Sequence, residues 1–413
     1  MKTRMMKIAA LSTLCLAFTA GTVGCSGFGR ANKSEKEVTA AKVKMDALKA
    51  GTEYQLAYQA FLSHDMDKAS RHTDYAIGLA PEVAKPWILK GRIALENNDF
   101  QTAEASFTKV ATKDPKNADA QYYLGVVAER TSQKQEALGF FKAAADLDTA
   151  NDDYVIAAAE TLIDLNQLSD AQAYLTEKVN TFRHSAGIRQ TLGHIAMIQN
   201  NYDQALNYFG EARLLAPEDN TILEDLTRAQ YEMGKYGEAD SNLARLLRDP
   251  ENDNRRDLRH MKARCLVHLD QPVEARKILE QLTTGDEGSS DIEAWIGYGQ
   301  TAFTLRDMAR VRTASSRIVA LAPNRPEGFV LRGLMFRHLS KFDEAEKSFV
   351  RALMIKEEPE TYVLLGLVQQ SRLQNDKAIA SFNKALALDP NNINARALIE
   401  KANGTMATVP AGE

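Results

Sequence analysis

Three groupings of residues have spacings that could do chemistry. Ser381-Phe382-Asn383-Lys384 sets a hydroxyl three residues before an amine, the arrangement in which a lysine sits beside an acylating serine. That chemistry also needs S-D-N and K-T-G segments, and neither occurs, so Phe382 reads as packing and Ser381 as its neighbour. Gly297-Tyr298-Gly299 followed by Ala302 has the outline of a dinucleotide loop, but no strand precedes it and the segment reads as mid-helix. His260, Arg264 and His268 fall at i, i+4 and i+8, one stripe of a helix. Two imidazoles two turns apart, about 12 Å, with a guanidinium between them make a poor metal site. After residue 24 there is no H-E-x-x-H helix, phosphate loop, C-x-x-C pair or G-x-S-x-G elbow. The expectation is a chain that is not an enzyme and uses no metal or cofactor.

One cysteine invites a different chemistry. Lys2, Arg4 and Lys7 open the chain, and Ile8 to Ala20 is an uncharged, mostly apolar run of 13 residues. As a helix this run would reach about 20 Å, short of a hydrocarbon core of roughly 30 Å. With small residues leading to Thr22-Val23-Gly24-Cys25, it reads as a secretory signal over 1–24. The position of Cys25 resembles the cleavage box of bacterial lipoproteins, with Thr22 where that family usually has leucine. The resemblance implies a lipid on Cys25, and Ser26 after it resembles lipoproteins sorted to the outer membrane, facing the periplasm. Cys15 lies in the signal and Cys25 would be acylated, so Cys265 is left without a disulfide partner and is expected to be a buried free thiol.

The elements that would position any of these residues are helical. The chain has 413 residues, 44% hydrophobic and 26% charged, enough to bury a large core, with only 23 Gly and 11 Pro. Its 51 basic and 55 acidic side chains leave a formal charge of −4, which gives no footprint for nucleic acid. Loss of Lys2, Arg4 and Lys7 with the signal takes this from −4 to −7. Residues 25–49 then read as a basic leader that links the anchor to the fold.

From residue 50 to residue 392 one period of about 34 residues dominates. Pro81 and Pro115 are 34 residues apart, and Pro217, Pro323 and Pro390 keep close to the same phase. Ten units result, beginning near residues 50, 84, 118, 152, 186, 220, 256, 292, 326 and 359. The eighth place holds Gly91, Gly125, Gly193, Gly299, Gly333 and Gly366, with Ala57, Ala159, Thr227 and Ala263 in the other units. The twentieth place is alanine in every unit but the eighth, which has Val311. The twenty-fourth holds Phe107, Phe141, Phe209, Phe349 and Phe382, or Leu175, Leu243 and Leu279. A helix-interior glycine costs about 1 kcal/mol relative to alanine, so its return at one place marks the close crossing of two helices. Both tryptophans, Trp87 and Trp295, stand at the fourth place.

This constellation resembles the tetratricopeptide repeat (TPR) family, with Leu124-Gly125, Leu192-Gly193 and Leu365-Gly366 as the clearest pairs. The resemblance implies an all-α, right-handed α-solenoid of about ten helix-turn-helix units over 50–392. A capping helix over 393–403 and a flexible tail over 404–413 follow. A single helix pair cannot bury its apolar face alone, whereas stacked pairs can. Two departures suggest weaker stacking: Lys178 in the fourth unit, and Val311 with Ser315 in the eighth. Thr283 to Ser290, rich in turn residues, is expected to form a hinge or an early-unfolding boundary near residues 283 to 291.

In this family the second, fifth, ninth, twelfth and thirteenth places line a concave groove. Here they hold Arg92, Glu129, Arg130, Glu160, Asp164, His194, Arg228, His260, Arg264, His268, Arg337 and His338. The implied groove is acidic in the third and fourth units and more basic from the fifth to the ninth. A protein partner, as an extended peptide or a helix, would lie in it. The resemblance implies a membrane-anchored scaffold for an envelope machine such as pilus or secretion assembly or exopolysaccharide export. The alternative is a regulatory subunit of a cell-wall or proteolytic enzyme.

Overall fold

The computed structural model describes residues 35–407, with side-chain surroundings described over 41–402. Residues 1–24, expected as a signal, Cys25 and the residues beyond 407 lie outside the described residues. Among the described residues there are 22 α-helices and no strand. None of these helices is long and apolar enough to cross a membrane.

The described residues divide into two compact units, 35–110 and 111–407, with the division inside the fourth helix. The first unit pairs α1 (Glu35–Leu62) with α2 (Met66–Leu79), followed by α3 (Ala84–Glu96) and most of α4 (Phe100–Lys113). In the second unit α5 (Ala118–Arg130) pairs with α6 (Lys134–Leu147), and α7 (Asp152–Asp164) with α8 (Leu168–Lys178). Then come α9 (Ala186–Ile198) with α10 (Tyr202–Leu215), and α11 (Asn220–Glu232) with α12 (Tyr236–Leu246). Next are α13 (Arg256–His268) and α14 (Pro272–Leu282), then the short α15 (Gly285–Ser290). Three more pairs follow: α16 (Ile292–Thr304) with α17 (Met308–Leu321), α18 (Glu327–His338) with α19 (Phe342–Ile355), and α20 (Pro359–Ser371) with α21 (Asn375–Leu388). The last helix, α22 (Ile393–Ala407), packs on α21. Within the second unit each helix packs against its neighbours in sequence, so the core runs as a continuous stack, a solenoid of helix pairs.

The repeated residues explain the pairs. In the units that carry Phe107, Phe141, Phe209, Phe349 and Phe382, the ring is buried and lies against the glycine of its partner helix. A Cβ on Gly91, Gly125, Gly193, Gly333 or Gly366 would stand only 2.4–2.6 Å from the ring. Where leucine replaces phenylalanine, the eighth place widens in step: Ala159 with Leu175, Thr227 with Leu243, Ala263 with Leu279, all buried. Start signals recur as well. The residue before the first helix of a pair accepts a backbone N–H through its side chain at Asn117, Asn151, Ser185, Asp219 and Asp291. Between the two helices of every pair stands one residue in the left-handed region: His64, Asn98, Ser132, Asn166, Asn200, Gly234, Asp270, Arg306, Ser340 or Leu373.

Three expectations need correction. Residues 35–49 are helical where a linker was expected: α1 starts at Glu35, and Ala50, where the periodicity begins, is its first buried residue among those with described side chains. The capping helix runs on to Ala407, into the segment expected as tail. The connection over 283–291 is pinned rather than open. Its α15 presents the Ser289 carbonyl to the Arg317 guanidinium at 3.0 and 2.8 Å and to Trp295 Nε1 at 3.4 Å. Arg256 adds a bond of 2.6 Å to the Leu282 carbonyl. Cys265 is a buried free thiol, as expected.

Candidate functional site

The first helices of successive pairs in the second unit are joined by side chains spaced one repeat apart. Tyr154 on α7 donates its hydroxyl to Asp119 on α5 at 2.7 Å. Gln190 and His194 on α9 both meet the Asp225 carboxylate of α11, at 2.6 and 2.8 Å. His260 on α13 meets Asp291, the cap of α16, at 2.8 Å, and Arg256 grips the same carboxylate at 2.5 Å. Burial alone would raise the Asp291 carboxyl, but the Ala294 N–H, the Arg256 guanidinium and the His260 ring hold it below the usual range. Two arginines just ahead of a first helix clasp carboxylates on either side. Arg255 takes Glu224 at 3.0 and 2.9 Å together with Asp257, and Arg325 takes Glu293 at 2.6 Å together with Glu327.

A cavity of about 480 Å³ opens on this face among α11, α13, α14 and α16. Its floor is apolar, formed by Ala263, Val267, Leu279 and Ile296. Gly297 lines it as well, and a Cβ there would stand 3.0 Å from the Leu279 side chain. One wall is aromatic: Tyr231 lies 5.5 Å from Tyr236, and the His268 ring stacks on Tyr236 at 4.0 Å. Burial raises the Tyr231 hydroxyl and the Arg264 guanidinium nearby draws it back. Arg264 is exposed and makes no ion pair among the described residues. Asp270 and Glu293 supply carboxylates at the edge, the latter held by Arg325.

The structure brings His260, Arg264 and His268 to this one cavity and gives each a different role. His260 is bonded to Asp291, His268 is stacked, and only Arg264 is uncommitted. His194 is likewise met by Asp225, so less of the basic half is free than its sequence places suggested. The compensating carboxylates stand 31 residues further on, outside the groove places, which is why counting those places missed them. Arg228 is exposed, Arg337 half-buried and His338 exposed, with no side-chain ion pair among the described residues. At the acidic end, Glu129, Arg130, Glu160 and Asp164 are all exposed. Crowding by the protein, then the Asp164 carboxylate, raises the Glu129 carboxyl, while Arg130 and Lys134 pull it down. Lys134 also donates to the Asp164 carbonyl at 3.1 Å. Arg92, in the first unit, lies over the Phe61 ring at 4.7 Å.

Family models described as tetratricopeptide repeat match residues 88–152 and 359–392. Those two segments carry tetratricopeptide repeats. No curated protein matches it. Among solved structures, a tetratricopeptide repeat protein from Parabacteroides merdae is similar at 16% identity and a TM-score of 0.49, over 61% of this chain and 98% of that one. PilF of Pseudomonas aeruginosa is similar at 14% identity and a TM-score of 0.43, over 49% and 92%. PilW, described as a type IV pilus biogenesis factor, stands at 17% identity and a TM-score of 0.43, over 48% and 93%.

Proposed function

We propose that this repeat protein is a scaffold that holds a protein partner, as an extended segment or a helix, against the first-helix face of α11, α13 and α16. The observation that carries the reading is the 480 Å³ cavity with an apolar floor and one uncommitted guanidinium, Arg264, among carboxylate-bound neighbours. An apolar side chain of the partner fills the floor, and an acidic group beside it meets Arg264. Arg228 and Arg337 extend the same preference along neighbouring first helices. The proposal includes a lipid on Cys25, attachment to the outer membrane on its periplasmic side, and service to an envelope machine for pilus, secretion or exopolysaccharide assembly. Its support is the basic start, the short apolar run and the cysteine box. The chain is proposed to do no catalysis itself.

Reversal of Arg264 and Arg337 to glutamate tests the groove. Crosslinked partners recovered from envelope extracts should include at least one protein that the double variant loses while its circular dichroism is unchanged. An identical partner set in both would end the groove reading. Cys25→Ser tests the anchor: it should release the chain from the membrane fraction and abolish incorporation of labelled palmitate.

A further inference from the structure

A second cavity, of about 420 Å³, lies away from the first and opens among α17, α18 and α19. Its lining includes one place where the repeat departs from its pattern. At the twenty-fourth place, where five units bury a phenylalanine, the eighth has Ser315, 1% exposed, with its hydroxyl donated to the Arg312 carbonyl at 3.1 Å. The ring's usual place over Gly299 is taken instead by Leu331 and Ala314, whose carbons stand 2.7 and 3.0 Å from where a Cβ would be. The helix α17 therefore meets its neighbours with a small polar residue where other units bring an aromatic one.

Around that gap stand Arg312, Arg332 and Lys347. None of the three makes an ion pair among the described residues, and Arg332 lies over the Phe329 ring at 5.7 Å. Glu344 is the one carboxylate of the lining, and it too is unpaired, so the lining carries a formal charge of +2. On the first-helix face, by contrast, His194, Arg256 and His260 are met by carboxylates at hydrogen-bond distance. Like charges gathered round one concavity repel each other, and a bound anion relieves that repulsion. A single carboxylate brings one negative charge. A phosphomonoester brings about −1.5 to −2 at neutral pH and three strong acceptor oxygens, which guanidinium forks meet in bidentate fashion.

We propose that the cavity among α17, α18 and α19 binds the phosphate of a phosphomonoester, held by Arg312, Arg332 and Lys347, with the Ser316 hydroxyl as a further donor. The site is independent of the partner face, so either can fail without the other. Calorimetric titration of the full chain with inorganic phosphate at fixed ionic strength should read one saturable site. Each charge-assisted bond is worth about 1.5–3 kcal/mol, so Arg312→Glu and Arg332→Glu should each weaken binding roughly tenfold or more. Arg264→Glu, in the other cavity, should leave it unchanged. Arg332→Gln keeps the test readable if a charge reversal disturbs folding.

Sedimentation with phosphatidic acid vesicles, compared with phosphatidylcholine vesicles, separates two sources of the same group. The comparison is made between the unaltered chain and Arg332→Gln, so that any attachment through the amino terminus is common to both. Sedimentation on phosphatidic acid that Arg332→Gln abolishes assigns a lipid headgroup. Saturable phosphate binding without that sensitivity assigns a soluble phosphomonoester. Absence of saturable phosphate binding, or binding indifferent to all three cavity substitutions, overturns the proposal.

Discussion

The Cys265 thiol shows how a reactive group is made inert by its place. It is fully buried in α13, and burial, followed by the Asp240 carboxylate, pushes it up to about 11. A thiol reagent at pH 8 should therefore leave Cys265 unlabelled in the folded chain and modify it in denaturant, as read by peptide mapping; rapid labelling of native Cys265 would contradict this. The same contrast separates Arg264 from His260. Sequence placed both on one stripe of one helix, correctly, because a stripe depends only on helical spacing. It could not tell the committed group from the free one. That difference is made by Asp291, which the chain supplies from the connection leading into α16. Gly297, read from the sequence as repeat packing, does pack closely: a Cβ there would meet the Leu279 side chain at 3.0 Å.

Among elements, the helix pairs were legible because each repeats one steric bargain, and that bargain can be tested at two glycines. A Cβ on Gly125 would stand 2.6 Å from the Phe141 ring, whereas Gly210 on α10 has nothing within 4 Å. Gly125→Ala should destabilise, since overpacking of about 1–3 kcal/mol outweighs the gain in helix propensity, while Gly210→Ala should stabilise by about 1 kcal/mol. Urea midpoints that moved in the same direction for both would refute the account. The left-handed joint inside each pair was not legible, because its ten occupants span seven residue types, with only asparagine (three times) and serine (twice) recurring. Leu373 holds φ +59° there and is 88% exposed. Relief of about 1–2 kcal/mol of strain, less about 0.5–1 for a freer unfolded chain, makes Leu373→Gly stabilising by about 0.5–1 kcal/mol. The short α15 was read as a hinge on its turn-rich composition. Composition does not reveal that Arg317 and Trp295, from the following pair, reach back to the Ser289 carbonyl.

At the scale of the molecule, the ion pairs give stability a pH dependence of known sign. Asp257, Asp291 and Glu327 all titrate below their ordinary range, because arginines bond them against the opposing effect of burial. Groups so depressed contribute stability that is complete above their unfolded values, near pH 4, and lost as pH falls through the folded ones. Glu129 works in the opposite sense, its raised value favouring the folded state on the acid side. Asp99 and Asp307 are depressed as well, and five depressed carboxyls against one raised one predict a net loss of stability below about pH 4. Asp291→Asn should flatten that slope in urea midpoints measured from pH 7 to 3, and an unchanged slope would contradict the assignment.

The two kinds of joint also differ in what they tolerate. Between the helices of one pair, the left-handed residue keeps a fixed distance from both, so one added residue would misplace it. Between pairs, the connection already admits a six-residue helix ahead of α16 and a three-residue 3₁₀ turn, Pro250–Asn252, ahead of α13. Insertions and deletions that accumulate as such a gene diverges should therefore collect at the junctions between pairs and spare the turns within them.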